Sequence, residues 1–159
     1  MTARKPLVIV SGQLQELSAS DTLSAAVSAI DVVSKTNDNA GAITKGMCVY
    51  VKSNGNVDKA KADAVATTKV LGLVWETSIS AAAAGNIQTD GIITVSDWTA
   101  IIGAASLTPG SIYYLSGATA GQLTATAPST AGHYVLPVGM AISTTEMNIL
   151  TDQQSVLLA

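Results

Sequence analysis

Apolar positions fall into short runs punctuated by glycine, asparagine and threonine, and from residue 43 onward the pattern is that of β-strands. The clearest runs are residues 47–51, 70–75, 91–95, 111–115 and 134–142. Many short strands at this spacing predict an all-β fold, a small β-barrel or β-sandwich. Residues 81–84, a run of alanines before Gly85, break the rhythm and read as a small-residue turn.

Ahead of that region the pattern changes. Residues 6–10 are an apolar run, Ser11-Gly12 supplies a turn, and residues 13–17 follow, which predicts a short hairpin or an extended arm. Residues 18–34 leave two readings open. Ser20 or Asp21 suits the cap of a short helix carrying Leu23, Ala26, Val27, Ile30 and Val33, several of them three or four apart. The β-branched Val27, Ile30, Val32 and Val33 disfavour a helix, and the segment then reads as a linker. The polar cluster Thr36-Asn37-Asp38-Asn39-Ala40-Gly41 marks a boundary, giving an arm and linker over 1–40 and a compact β domain over 41–159.

Within that domain the chain echoes itself. Ile43-Thr44-Lys45-Gly46-Met47-Cys48-Val49-Tyr50-Val51 returns as Leu107-Thr108-Pro109-Gly110-Ser111-Ile112-Tyr113-Tyr114-Leu115, in both cases an apolar-Thr-x-Gly turn launching a strand with a tyrosine at the same place. Gly55-Asn56-Val57-Asp58 matches Gly121-Gln122-Leu123-Thr124, and residues 70–74 match 137–141 with a one-residue slip of the apolar run. A three-strand unit cannot bury its apolar face alone, so two such units are expected to close on one core.

Composition adds a reason to expect association. Hydrophobic residues make up 48% of the chain, with no Phe, two Trp and four Tyr, so the core is built from small and β-branched side chains. Charged residues are only 12%, against roughly 25% in an ordinary soluble domain, which leaves little repulsion between copies. All eight basic residues lie in the first 69 positions with six acids, a balance of +2; the remainder holds five acids and no Lys or Arg, a balance of −5. That segregation favours head-to-tail contact between subunits.

Chemistry-bearing residues are sparse and scattered. A single cysteine, Cys48, excludes an internal disulfide framework and a multi-cysteine zinc site; among Met47, Val49 and Tyr50 it reads as a small buried hydrophobe. His133 sits in an Ala/Gly-rich loop, no serine lies in a Gly-x-Ser-x-Gly elbow, and no glycine-rich phosphate loop occurs. Asn37-Asp38-Asn39 lacks the spaced ligands and closing Glu of a calcium loop. Lys45, Lys52, Lys59, Lys61 and Lys69 are diluted by Asp58 and Asp63, and the sequence pI of 4.8 argues against a polyanionic partner. The longest apolar stretches, 7–10 and 100–105, fall far below the ~20 residues of a membrane-spanning helix. Arg4 and Lys5 precede too short an apolar run for a secretory signal. A non-enzymatic protein follows, with no catalytic residue, cofactor or metal, no nucleic acid and no membrane, made and acting in a cytoplasm unless carried within an assembly. Trp75 reads as core or a barrel-end plug, and Trp98 as either core or an interface anchor.

Two stretches resemble virion proteins of tailed bacteriophages. Arg4-Lys5-Pro6-Leu7-Val8-Ile9-Val10-Ser11-Gly12-Gln13-Leu14-Gln15-Glu16-Leu17-Ser18-Ala19-Ser20-Asp21-Thr22-Leu23 resembles a leader segment of fibre and decoration components. Residues 43–150 resemble the small β modules of the same proteins, above all Leu107-Thr108-Pro109-Gly110-Ser111-Ile112-Tyr113-Tyr114-Leu115-Ser116 and Val138-Gly139-Met140-Ala141-Ile142-Ser143-Thr144-Thr145-Glu146-Met147. The resemblance implies a structural virion protein, assembled in the host cytoplasm, that decorates or cements the capsid by binding the major capsid protein and its own copies. A tail, baseplate or head-fibre adaptor bound to tail proteins is the alternative, and a carbohydrate-binding module the third. The N-terminal arm is separated from the β domain by a polar linker, so Leu7, Ile9, Leu14 and Leu17 are expected to be covered by another chain in a trimer or dimer, with Trp98 as a further contact.

Overall fold

The structure, a computed structural model, describes residues 7–10, 13–16, 31–150 and 155–159. Strands β1 (Leu7–Val10) and β2 (Gln13–Glu16) pair antiparallel with Leu7 opposite Glu16 and Ile9 opposite Leu14, so the two N-terminal runs form a hairpin. The expected helix or linker over 18–34 lies outside the described residues up to residue 30.

Beyond residue 30 the chain forms two units in succession. The first contains β3 (Val32–Thr36), β4 (Ile43–Thr44), β5 (Cys48–Val51), β6 (Val57–Lys59), β7 (Val70–Val74), β8 (Ser78–Ile79) and β9 (Ala84–Gln88). The second contains β10 (Gly91–Thr94), the single-turn helix α1 (Thr99–Ile102), β11 (Ile112–Leu115), β12 (Leu123–Thr124), β13 (Tyr134–Val135), β14 (Pro137–Ala141) and β15 (Glu146–Ile149), with β16 (Val156–Leu157) returning to pair with β13. The all-β expectation holds. The turn read over 81–84 occupies Ala81 and Ala82, the latter at φ 59°, while Ala84 already opens β9.

Each unit builds a five-stranded antiparallel sheet, ordered β3-β9-β7-β5-β6 in the first and β10-β15-β14-β11-β12 in the second. Position for position these are the same order. Val49 faces Gly72 and Tyr50 faces Val70, leaving Leu71 as an extra residue; Tyr113 faces Gly139 and Tyr114 faces Pro137, leaving Val138 extra. The same β-bulge thus stands at the same place in both sheets, and residues 70–74 match 137–141 without the expected slip. Val74 N–H donates to the Met47 carbonyl (3.0 Å) as Ala141 N–H does to Ser111 (2.9 Å). Gly46 and Gly110 launch β5 and β11 at φ 82° and 80°, a left-handed conformation that a side chain would strain.

Three expectations are corrected. The duplication exceeds the three strands read from sequence: β3 matches β10 and β9 matches β15, since Val33 faces Ile87 as Ile93 faces Met147. Because β3 is a full strand of the first sheet, the compact region begins upstream of residue 41. The barrel alternative also fails: the sheets end on β3 and β6 or on β10 and β12, and in the first a single bridge between Asn37 and Val57 joins the end of β3 to β6 without closing a barrel.

Packing differs between the units in a way their topology does not. One core cluster lies within the first unit, formed by Ile43, Val49, Val57, Val74, Ile79 and Ile87. The second unit's counterparts, including Leu107, Tyr113, Leu123, Ala141 and Met147, belong to a larger cluster that also takes in Cys48, Ala60, Ala62 and Leu73 from the first unit. The second unit therefore packs on the first sheet's other face. Gly121 bridges them, its carbonyl accepting from Cys48 N–H (2.9 Å) and its N–H donating to the Ala60 carbonyl (2.7 Å).

Gly72 tests the bulge. A Cβ there would run into the Gln88 carbonyl, which is backbone and cannot turn aside, whereas at Gly139 the first obstacle is the flexible Met147 side chain. Urea unfolding should show Gly72→Ala losing about 3 kcal/mol and Gly139→Ala about 1 kcal/mol. Equal, small losses would contradict the close strand approach at Gln88.

Candidate functional site

The residues singled out from sequence do not converge. Leu7 and Ile9 lie on β1 and Leu14 on β2, with Ile9 and Leu14 as register partners; Leu17 lies outside the described residues. Trp98 is fully buried, its indole N–H donating to the Thr145 carbonyl (3.2 Å) and its own carbonyl accepting from Ile101 and Ile102 N–H (both 2.9 Å). Of its two readings the structure selects core; a ring with no exposed surface has nothing to offer a partner. Trp75 is half-buried against the same core, and Lys45 Nζ lies 4.8 Å from its ring centroid.

Several titratable groups are occupied in local bonds. Lys52 pairs with Asp38 (2.6 Å) and stands 3.8 Å from Asp58; Lys61 pairs with Asp63 (2.8 Å). The Lys52 bond holds the Asp38 carboxyl below its ordinary value, and Asp38 in turn raises Lys52. Because Asp38 is lowered, its contribution is complete above the usual carboxylate range and is lost as pH falls through the depressed value; in a surface ion pair it is minor. Asp97 is lowered by the Thr99 hydroxyl (2.6 Å) and backbone N–H (2.9 Å), an Asx turn that Asn37 repeats with Asn39 N–H (2.8 Å). Where the units meet, an open depression of about 580 Å³ is lined by Thr44, Lys45, Thr77, Thr94, Asp97 and Ile101 among others. Its lining carries the hydroxyls of Thr44, Thr77, Thr94 and Ser96 beside Lys45 and the Asp97 carboxylate, which accepts from the Thr99 hydroxyl. Among the described residues no group of three His, Cys, Asp or Glu side chains could hold a metal ion, and no helix is long and apolar enough to cross a membrane.

The surface feature that sequence reading misses is apolar. Ile112 on β11 faces Met140 on β14, Met140 faces Asn148 on β15, and Asn148 faces Ile92 on β10, one row across four strands. Ile112, Met140 and Ile92 are 42%, 38% and 46% exposed. The row is legible in principle, since Ile112 aligns with Cys48 in the echo, but which face each unit buries is a tertiary property.

Cys48 is completely buried, and burial pushes its thiol well above its ordinary range. Native protein should therefore resist a thiol reagent that labels it fully in denaturant, and Trp98→Ala should cost about 3–5 kcal/mol in the isolated chain. Prompt native labelling, or an unchanged melting temperature for Trp98→Ala, would contradict these placements. Neither the family models nor the curated protein sequences compared with this chain match it.

Proposed function

We propose that the chain is a structural protein of a tailed-phage particle, decorating or cementing the capsid by binding the major capsid protein and copies of itself. What carries this reading is the combination of an N-terminal apolar hairpin with a duplicated β module whose second sheet exposes an apolar row. Rigid antiparallel sheets with small-residue cores suit a part that is set in place once and bears load. Low charge density, at 12% charged residues, suits a subunit that spends its life against neighbours. The resemblance of residues 4–23 and 43–150 to virion components supplies the particle. In this reading the hairpin adds its strands to an edge on the shell or on a neighbouring copy, where main-chain hydrogen bonds give affinity and Leu7, Ile9, Leu14 and Leu17 are hidden.

The test is cosedimentation with undecorated particles. A chain lacking residues 1–20 should stay folded by circular dichroism, because the two five-stranded sheets begin at β3, and should lose particle binding by about tenfold or more. Wild-type occupancy by the truncated chain would remove the hairpin from the mechanism.

A further inference from the structure

The duplication turns the exposed row into a question with an internal answer. In the first unit the matching row is Cys48, Leu73, Gln88 and Val32, joined by the same registers. Cys48, Leu73 and Gln88 are completely buried, Cys48 and Leu73 within the core of the following unit. In the second unit the matching positions are Ile112, Met140, Asn148 and Ile92, and the three apolar ones are exposed. One face, built twice by one topology, is thus filled once, except at its edge residue Val32, which stays 44% exposed.

The geometry points to a second copy of this chain as the occupant of the Ile92–Met140–Ile112 row, packed head-to-tail so that its first unit follows this chain's second unit. Three observations on the molecule select that partner. The face is one on which this fold already receives a unit of its own kind. The docking tip is also present twice: Gly121, which bonds Cys48 and Ala60, corresponds to Gly55, since Val51 faces Val57 as Leu115 faces Leu123. Gly55 has φ 84° against 81° at Gly121, and it is exposed, with no atom within 4 Å of the place a Cβ would take. Charge agrees as well. The first 69 residues balance at +2 and the remainder at −5, and Glu146, two residues from Asn148 along β15, stands at the receiving row. Like faces meeting across a two-fold axis would instead bring acidic units together.

Such a contact is heterologous: the surface given differs from the surface received. It closes into a ring if the rotation per subunit divides the circle and otherwise extends as a filament. The first unit lacks the α1 insertion, so the tip and flanking strands carry the contact between chains. This deepens the self-association in the proposed function without depending on the phage assignment, because it is read on purified protein alone while particle binding is read by cosedimentation.

The experiment joins sedimentation with site-directed cross-linking of the full chain. Wild-type protein should self-associate with rising concentration, and Met140→Glu should weaken this about tenfold or more without a lower melting temperature. Ile112→Ser, which removes apolar surface without adding charge, should weaken it in the same direction. Chains carrying Ile112→Cys mixed with chains carrying Asn54→Cys should form a mixed disulfide under mild oxidation, with buried Cys48 silent. A monomeric wild type, undiminished association in both row variants, or cross-linking solely between two Ile112→Cys chains would overturn the proposal.

Discussion

A β-sheet of five short strands has two faces and can hide only one against its own loops. The first sheet hides the centre of both: Val49, Val74 and Ile87 pack under the β4–β8 pair, while Cys48 and Leu73 are covered by the second unit, and Val32 and Val33 of the edge strand stay exposed. That second coverage is what makes two units one body. Fully burying a Leu-sized side chain stabilises by about 1.5–3 kcal/mol, so removing the second unit from this face would cost several such contributions together with the Gly121 bonds. The identity of Cys48 follows from the same constraint, since a thiol fits beside the neighbouring backbone as a small hydrophobe.

Much of this is legible in sequence because turns constrain residue type more tightly than strands do. The Thr-x-Gly turns at Gly46 and Gly110 and the tips at Gly55 and Gly121 require left-handed backbone, so glycine recurs there and exposes the repeat. The outer strands are hidden for the opposite reason. Val32-Val33 and Ile92-Ile93 share only a β-branched pair, which many strands carry, and the loop from Asp97 to Leu107 is four positions longer than that from Asn37 to Ile43. That insertion holds Trp98 and α1, which explains why the local pattern leaves Trp98 open between core and interface when it is the plug of the second core. The polar cluster that suggests a domain boundary at 40/41 lies inside the repeat, at the Asx turn of Asn37.

The candidate surface is less legible than the fold. Which face of a duplicated sheet is covered depends on how the copies dock, and nothing in the local pattern around Ile112 or Met140 distinguishes it from Cys48 or Leu73. Charge segregation is visible in the sequence, with the basic residues largely on the first unit and the exposed apolar row on the second. Among the described residues, polar side chains close turns, form surface ion pairs and, at buried Asn37, bond the Ile79 and Gly41 carbonyls (2.9 and 3.0 Å).

The central claim, that the second unit's cover on the first sheet holds the two units in one cooperative structure, is most directly tested by native-state hydrogen exchange. The amides of Cys48, Ala60 and Gly121, which bond across or beside the junction, should exchange only through global unfolding, with the same free energy as the amides of Ile93 and Met147 in the second core. Exchange at Cys48 and Ala60 through an opening of much lower free energy, with Ile93 and Met147 still protected, would mean that the units separate freely and would contradict the account.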